Sequence, residues 1–175
     1  MNKLITGVLL ASLAMPLAIE AQGIERGQKT LGLTAGYVTV NRSASAGLQF
    51  SYAFSRHFVL APSIDYVFRN EDLDGLLINI DYHGPWQLDA SGRWTVYHIL
   101  GFNYASWSRH TKQLVGEEGE NYDDVTKRSN HVGLDFGAGV AWNVTPSLRL
   151  SVQGKFNWIA HNNTGLFNAG ISYIF

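Results

Sequence analysis

The sequence predicts an all-β protein, an eight-stranded antiparallel up-and-down transmembrane β-barrel whose apolar residues point outward. Apolar and polar residues alternate along most of the chain, which is the period of a strand with two different faces. The composition includes 18 Gly, 9 Phe, 8 Tyr and 5 Trp, whereas only 15% of the residues are charged. Beyond residue 21, no apolar run reaches the ~20 residues that a helix needs to cross a bilayer.

The first 21 residues are predicted to be a cleaved signal peptide. Lys3 precedes an apolar stretch at residues 4–18, and Ala21 supplies a small residue at the cleavage point. A transmembrane anchor is disfavoured because this stretch is shorter than the ~20 residues of a spanning helix. We therefore expect one barrel domain at residues 22–175, beginning with a polar lead-in at residues 22–28.

The first four strands are predicted at residues 29–40, 46–54, 58–69 and from residue 76 onward. The segment at residues 55–57 is so short that strands two and three are expected to form a hairpin. Pro62 lies in the middle of strand three and removes a ladder hydrogen bond, so a bulge is expected there. Residues 70–75 are predicted to form an acidic loop, and Pro85 leaves the register at the end of strand four open.

Strands five to eight are predicted at residues 94–107, 131–143, 148–158 and 167–175. The apolar face of strand five is predicted to contain Trp94, Val96, Leu100, Phe102 and Tyr104. Tyr97 and Ile99 leave the parity of this strand ambiguous. Residues 108–130, which connect strands five and six, are predicted to be the longest irregular stretch.

The predicted connections alternate in length along the chain. Those at residues 55–57, 89–93 and 144–147 are tight, and the others are looser or longer. In an up-and-down barrel with both termini in the periplasm, these two sets lie at opposite ends. We therefore expect short periplasmic turns and longer external loops.

The polar faces of the strands decide between a membrane barrel and a soluble one, whose apolar side chains would point inward. These faces are rich in Gly, Ser and Ala, which suits the crowded interior of a narrow barrel. Aromatic residues gather near the strand ends, as in the two aromatic girdles of membrane barrels. The predicted girdles contain Phe54, Phe58, Trp86, Trp94 and Trp142 near the tight turns, and Tyr37, Phe68, Tyr104, Trp107 and Trp158 near the loops.

The last nine residues alternate and end on an aromatic residue. Their apolar face contains Phe167, Ala169, Ile171, Tyr173 and Phe175. This segment resembles the C-terminal assembly signal of outer-membrane barrels, and the chain from residue 22 resembles the small eight-stranded outer-membrane β-barrels of the OmpA, OmpX and porin-like kind. The resemblance implies a monomer in the outer membrane of a Gram-negative bacterium. It also implies contact with outer-membrane lipid and lipopolysaccharide, and recognition of the C-terminal strand by the barrel assembly machinery.

Six charged residues are predicted to face the barrel interior: Asp65, Arg69, Asp81, Asp135, Arg149 and Lys155. Ions of opposite sign inside a narrow lumen are expected to pair, because an unpaired buried ion is costly. The hypothesis is a lumen plugged by this network. The alternative is a row of charges that lines a path for a solute.

Composition and motifs exclude several classes of function. A net charge of −1 disfavours nucleic acid, and the absence of cysteine removes thiolate metal sites. We expect no cofactor or metal, and no enzyme, because the lipid-deacylase-like segment His161-Asn162-Asn163 lacks the serine of a His-x-Ser pair. The predicted role is structural or a surface interaction, with an extracellular ligand at residues 108–130. The alternatives are a small-solute or hydrophobic-compound channel and, third, a lipid-modifying enzyme.

Overall fold

A computed structural model describes residues 23–115, 121–159 and 163–175. The predicted signal peptide at residues 1–21 lies outside this part of the chain, as do His161 and Asn162 of the deacylase-like segment. Across the described residues, no helix has both the length and the apolar character that a membrane crossing requires.

Eight strands form one closed barrel in which each strand pairs antiparallel with its neighbours in the chain, and the last strand pairs with the first. This architecture confirms the predicted fold class. The strands are β1 (Lys29–Val38), β2 (Ser43–Ser55), β3 (Phe58–Asn70), β4 (Leu73–Gln87), β5 (Trp94–Val115), β6 (Asn121–Thr145), β7 (Leu148–Ile159) and β8 (Thr164–Ile174).

The two ends of the barrel differ. One end, the turn end, carries residues 27–28, Phe175 and the connections at residues 56–57, 88–93 and 146–147. The other, the hairpin end, carries the β1–β2, β3–β4, β5–β6 and β7–β8 connections. The prediction of an acidic loop at residues 70–75 is wrong. Only Glu71 and Asp72 lie between β3 and β4, and their φ angles are 47° and 64°. Two residues with positive φ match a tight type I′ hairpin turn.

Strands β5 and β6 are much longer than the others, with 22 and 25 residues. The irregular stretch predicted at residues 108–130 is therefore wrong in large part. Ser108 pairs with Arg128, and the ladder continues until Val115 pairs with Asn121. Alternation did not reveal these strand segments, because both of their faces carry polar residues and the period-two signal requires one apolar face.

Proline disturbs the barrel less than the sequence suggests. The β2–β3 ladder keeps one register on both sides of Pro62, with Gln49 opposite Ser63 and Tyr52 opposite Leu60, so the predicted bulge is wrong. A missing N–H removes a hydrogen bond without adding a residue to the strand. At the end of β4, Pro85 pairs in register with Tyr97.

The apolar faces point outward, as predicted. Leu100, Val152 and Ile171 have exposed fractions of 46%, 64% and 47%, respectively. In β5, Tyr97 and Ile99 are buried inside, which settles the parity of this strand. Trp107 was expected in an aromatic girdle, but it has the inward parity of β5 and is buried.

Candidate functional site

The interior at the hairpin end is filled by apolar side chains, which we call the apolar plug. Its buried members come from six of the eight strands and include Val38, Val67, Leu77, Ala105, Trp107, Ile159 and Leu166. Partly buried Val40 and Leu73 pack against them. The sequence pattern does not reveal this layer, because it predicts small and polar residues at the inward positions of the strands.

Trp107 is the largest side chain of the apolar plug, with an exposed fraction of 1%. Its indole lies over Gly75 of β4, where an added methyl group would be 2.5 Å from Trp107 Cε3. Glycine at position 75 therefore provides the space that the indole fills.

Below the apolar plug, the interior is polar and charged, and we call this region the ionic layer. Lys155 Nζ lies 2.8 Å from Asp81 Oδ2 and 4.0 Å from Asp135 Oδ2, and all three side chains are fully buried. Asn157 Nδ2 donates to Asp135 Oδ1. Strands β4, β6 and β7 thus bring one cation and two carboxylates together across the barrel.

Asp65 is also buried, but neutral donors hold its carboxylate. Thr34 Oγ1 and Asn168 Nδ2 donate to Oδ1 at 3.2 and 3.3 Å, whereas Ser63 Oγ and Asn79 Nδ2 donate to Oδ2 at 3.3 and 3.2 Å. Sequence analysis listed only the charged members of this network. The alternation that predicted Asp65 gives Asn79 and Asn168 the same inward parity, so that signal was present.

The two predicted interior arginines lie away from the ionic layer. Arg69 is wrongly predicted: its side chain has an exposed fraction of 52% and lies 3.5 Å from Asp72. Residue 69 has inward parity, but it lies near the end of β3, beyond the packed interior. Arg149 lies near the turn end, where Nε donates to Asn143 Oδ1 at 2.7 Å and Nη2 donates to Gln28 Oε1 at 3.2 Å.

Residues 23–28, which we call the terminal segment, fold against the turn end. Ile24 is buried against Ala53 and Val59. Gly27 N donates to the Ala53 carbonyl oxygen at 2.7 Å, and Ala53 N donates to that of Gln28 at 2.9 Å. The predicted polar lead-in therefore contributes an apolar residue to the barrel, although Ile24 alone breaks its polar pattern in sequence.

On the outer surface, three strands contribute a hydrogen-bonded group that we call the clasp. His110 Nε2 lies 2.6 Å from Asp74 Oδ1, and Thr126 Oγ1 lies 3.1 Å from His110 Nδ1. His110 N also donates to the Asp72 carbonyl oxygen at 2.8 Å. The clasp ties the base of the long β5–β6 hairpin to β4. No sequence spacing predicts it, because each residue lies on a different strand.

The β5–β6 hairpin has a basic stem. Arg109 lies directly opposite Lys127 in the ladder, and Arg128 is the next residue along β6. All three are exposed, and within the described part of the chain none of them forms an ion pair. Like charges directly opposite each other destabilise a strand pair, so an anion bound here would relieve repulsion.

No family model matches this sequence, and no curated protein matches it significantly. Solved structures do match. The N-terminal β-barrel domain of OprF from Pseudomonas aeruginosa is 12% identical with a TM-score of 0.65, and the match covers 88% of this chain and 100% of that one. Neisserial surface protein A is 14% identical with a TM-score of 0.58, and the match covers 83% of this chain and 95% of that one.

Ail from Yersinia pestis, the attachment invasion locus protein, is 14% identical with a TM-score of 0.59, covering 86% of this chain and 99% of that one. A second structure of Ail contains the heparin analogue sucrose octasulfate, with 15% identity, a TM-score of 0.53 and coverage of 86% and 99%. At such identities the likeness shows the fold alone. The chain has the fold and the outward apolar face of the small outer-membrane β-barrels.

Proposed function

We propose that this chain is an integral protein of the Gram-negative outer membrane that binds extracellular ligands through its β5–β6 hairpin. One observation carries the proposal. In the described ladders, residues 111–115 of β5 pair only with β6, and residues 121–132 of β6 pair only with β5, because β4 reaches only Arg109 and β7 reaches only Gly133. At 3.4 Å per residue, residues 111–115 extend this hairpin about 17 Å beyond its neighbours. Function in proteins concentrates on such segments held by a rigid scaffold.

The basic stem indicates the class of ligand. Arg109 and Lys127 are adjacent across the ladder, and both lack a carboxylate partner within the described residues. A polyanionic glycan carries several negative groups on one molecule, so a single ligand of this class would make charge-assisted hydrogen bonds to both cations. The heparin analogue in the Ail structure is a molecule of this class and makes a suitable probe.

The test is calorimetric titration of sucrose octasulfate into the barrel in nanodiscs. We expect the wild type to bind with an affinity that falls as salt rises, and we expect the Arg109→Gln/Lys127→Gln double variant to bind at least tenfold more weakly. Arg56→Gln, an exposed change at the turn end, is the matched control and should bind like the wild type. Equal binding by the double variant, or no binding by the wild type, would contradict this ligand class.

We further propose that the lumen is closed. The apolar plug and the ionic layer support this, because both place buried side chains in the interior of the barrel. The competing role is a channel for small solutes or hydrophobic compounds. Planar-bilayer recordings of the purified protein should show no large, stable conductance. Recordings with such conductance would favour the channel.

The proposed orientation places the turn end in the periplasm. The chain contains no cysteine, so single-cysteine variants report on one position each. In intact cells, a membrane-impermeant maleimide should label Ser129→Cys on the hairpin and should not label Ser91→Cys at the turn end. Both native side chains are exposed. The reverse labelling pattern would invert the proposed topology.

The clasp does not lead us to propose an enzyme. Its hydroxyl, imidazole and carboxylate are the groups of a hydrolase triad, but acyl transfer also requires donors aimed at the developing oxyanion. The N–H of His110 is already bonded to the carbonyl oxygen of Asp72. Altered lipid A acylation in a strain that lacks the gene, restored by the wild type but not by His110→Ala, would establish the enzymatic role instead.

The C-terminal strand is proposed to carry the assembly signal. Phe167, Ile171, Tyr173 and Phe175 have exposed fractions of 58%, 47%, 57% and 58%, and Ala169 is also exposed on this face. An outward face can be read by the assembly machinery and then contacts lipid in the folded barrel. Removal of Phe175 should lower the amount of heat-modifiable, folded protein in outer-membrane fractions, whereas unchanged folding would argue against the signal.

A further inference from the structure

A cavity of about 40 Å³ lies inside the turn end of the barrel. Ile24 of the terminal segment forms part of its wall, together with His83, Tyr97 and Arg149. His83 stacks on Tyr97 with ring centroids 4.7 Å apart. A volume of this size exceeds the roughly 10 to 15 Å³ that one water requires but is small for a polyatomic ligand.

Arg149 brings an uncompensated charge to this cavity. Its two hydrogen bonds go to the neutral amide oxygens of Asn143 and Gln28. Within the described residues, no carboxylate lies within 4.0 Å of its guanidinium, and the cation that pairs with Asp81 and Asp135 is Lys155. Arg149 is partly buried, and a cation that is shielded from water and lacks a counterion is unfavourable in a protein.

The rest of the cavity wall is mixed, with apolar side chains from Val59, Pro85 and Ala141 beside several polar groups. Hydroxyl groups line it, from Thr30, Ser51, Thr95, Ser151 and Ser172. Two further wall atoms, His83 Nε2 and Gln49 Nε2, are buried and have no hydrogen-bond partner among the described residues. The Gln49 amide nitrogen is a donor, and His83 Nε2 is a donor in one of the two imidazole tautomers. His83 itself has an exposed fraction of only 8%. Donors and a cation around a small volume are the surroundings that an anion requires.

We propose that this cavity binds a small monovalent inorganic anion of the size of chloride. Arg149 supplies the countercharge, and the hydroxyl and amide donors replace the hydration shell. Arg149 also donates to Gln28 of the terminal segment, so the bound anion strengthens the attachment of this segment to the turn end. A structural anion site of this kind is independent of the ligand proposed for the hairpin.

Two measurements on the full-length mature protein test the site. In crystals grown in bromide, an anomalous peak is expected beside the Arg149 guanidinium. In detergent at constant pH and ionic strength, replacing gluconate by chloride should raise Tm, because a ligand that binds only the folded state stabilises it. Above the dissociation constant, each tenfold rise in chloride should raise Tm by roughly 3–6 °C.

Variants assign the effect to the cavity. Arg149→Met should abolish the dependence of Tm on chloride. Ser151→Val should also abolish it, because the larger side chain fills the cavity while Arg149 is kept. This second variant tests the site even if Arg149→Met does not fold. Arg93→Gln, an exposed change at the same end, should keep the dependence. The proposal is overturned by equal Tm in chloride and gluconate, by chloride dependence that survives in Ser151→Val, or by density in bromide crystals that shows water alone.

Discussion

At the scale of single residues, Lys155 governs the charge balance of the interior. It is fully buried and lies 2.8 Å from one carboxylate oxygen and 4.0 Å from another. Removing one partner of a buried ion pair leaves uncompensated charge, which costs about 3–5 kcal/mol. We expect Lys155→Met to lower the free energy of unfolding by that amount, measured by urea titration in lipid vesicles with tryptophan fluorescence as the signal.

The matched control is Lys29→Met, because Lys29 is exposed at the start of β1. A surface change of this kind is expected to stay within about 0.5 kcal/mol of the wild type. Adding Asp81→Asn to Lys155→Met should recover part of the lost stability, since it removes one of the stranded carboxylates. If both lysine variants unfold at the same urea concentration, the ionic layer contributes no stability.

A second residue-scale prediction concerns Asp89 in the turn between β4 and β5. Its carboxylate accepts hydrogen bonds from the Ser91 hydroxyl and from the backbone N–H groups of Trp94, at 2.8 Å, and Arg93, at 3.2 Å. The Ser91 hydrogen bond first, and then the backbone ones, lower the pKa of Asp89 below its ordinary value. A depressed folded-state pKa means that this stabilisation is present above the unfolded-state pKa and is lost as the pH falls through the folded-state pKa.

Asp89→Asn should therefore be less stable than the wild type at pH 7, and this difference should shrink as the pH falls below about 4. Urea unfolding at pH 7 and at a pH below about 4 measures the difference in stability. Ser91→Ala should reproduce part of the loss of stability at pH 7. A difference between wild type and Asp89→Asn that is independent of pH would show that the charge of the carboxylate plays no part in the turn.

From the sequence, a residue could be placed only on the inward or the outward face of its strand, by its position in the alternation. Parity gave the inward direction of Asp81, Asp135 and Lys155, all of which are buried. Parity alone failed for Arg69, because it does not say where the packed interior ends. The partner of each charge also stayed unknown, since contacts across a barrel depend on strand tilt and stagger, which the sequence does not state.

At the scale of elements, the clasp determines how firmly the hairpin stem is held. His110 connects Asp74 of β4 to Thr126 of β6. We expect His110→Ala to release the stem, so that backbone amides at residues 108–112 exchange with deuterium at least tenfold faster, because local opening requires less free energy once these bonds are lost. The barrel itself should lose at most about 1 kcal/mol, since the clasp lies outside the interior.

Thr126→Val is the matched partial variant, because it removes one of the two side-chain hydrogen bonds of His110 and keeps the shape of the side chain. Its amide exchange should lie between those of the wild type and His110→Ala. Hydrogen exchange followed by mass spectrometry measures all three proteins. Identical protection of the stem in the wild type and in His110→Ala would show that the ladder alone holds the hairpin.

The outer part of the β5–β6 hairpin could not be predicted as strand from the sequence. Between Trp94 and Tyr104, one face of β5 is apolar, and alternation predicts the strand. Beyond Trp107, the same strand continues, but Arg109 and His110 are polar neighbours on opposite faces. Where both faces of a strand carry polar residues, no hydrophobic period remains, and only backbone pairing with β6 defines the strand.

At the scale of the whole molecule, the fold class was predictable because all eight strands alternate between apolar and polar residues. The outward face is apolar on every strand, so barrel closure and the direction of the faces follow from the same pattern. The layering of the interior was not predictable. The apolar plug contains Val67 and Leu77 at inward positions. An apolar residue at an inward position interrupts the alternation of apolar and polar residues, and a change of strand register interrupts it in the same way.

The outward face yields the last prediction, which tests whether it lies in lipid. Leu100 of β5 has an exposed fraction of 46% and lies between the aromatic residues Trp94 and Tyr104, whereas Val125 on the β5–β6 hairpin has an exposed fraction of 44%. Arginine on the lipid face of a barrel costs about 2–4 kcal/mol near the bilayer midplane and about 0–1 near the interface. Leu100→Arg should lose the larger amount and Val125→Arg the smaller, measured by urea unfolding in vesicles. Because both side chains are similarly exposed, equal losses would mean that the surface around Leu100 faces water, as in a soluble barrel.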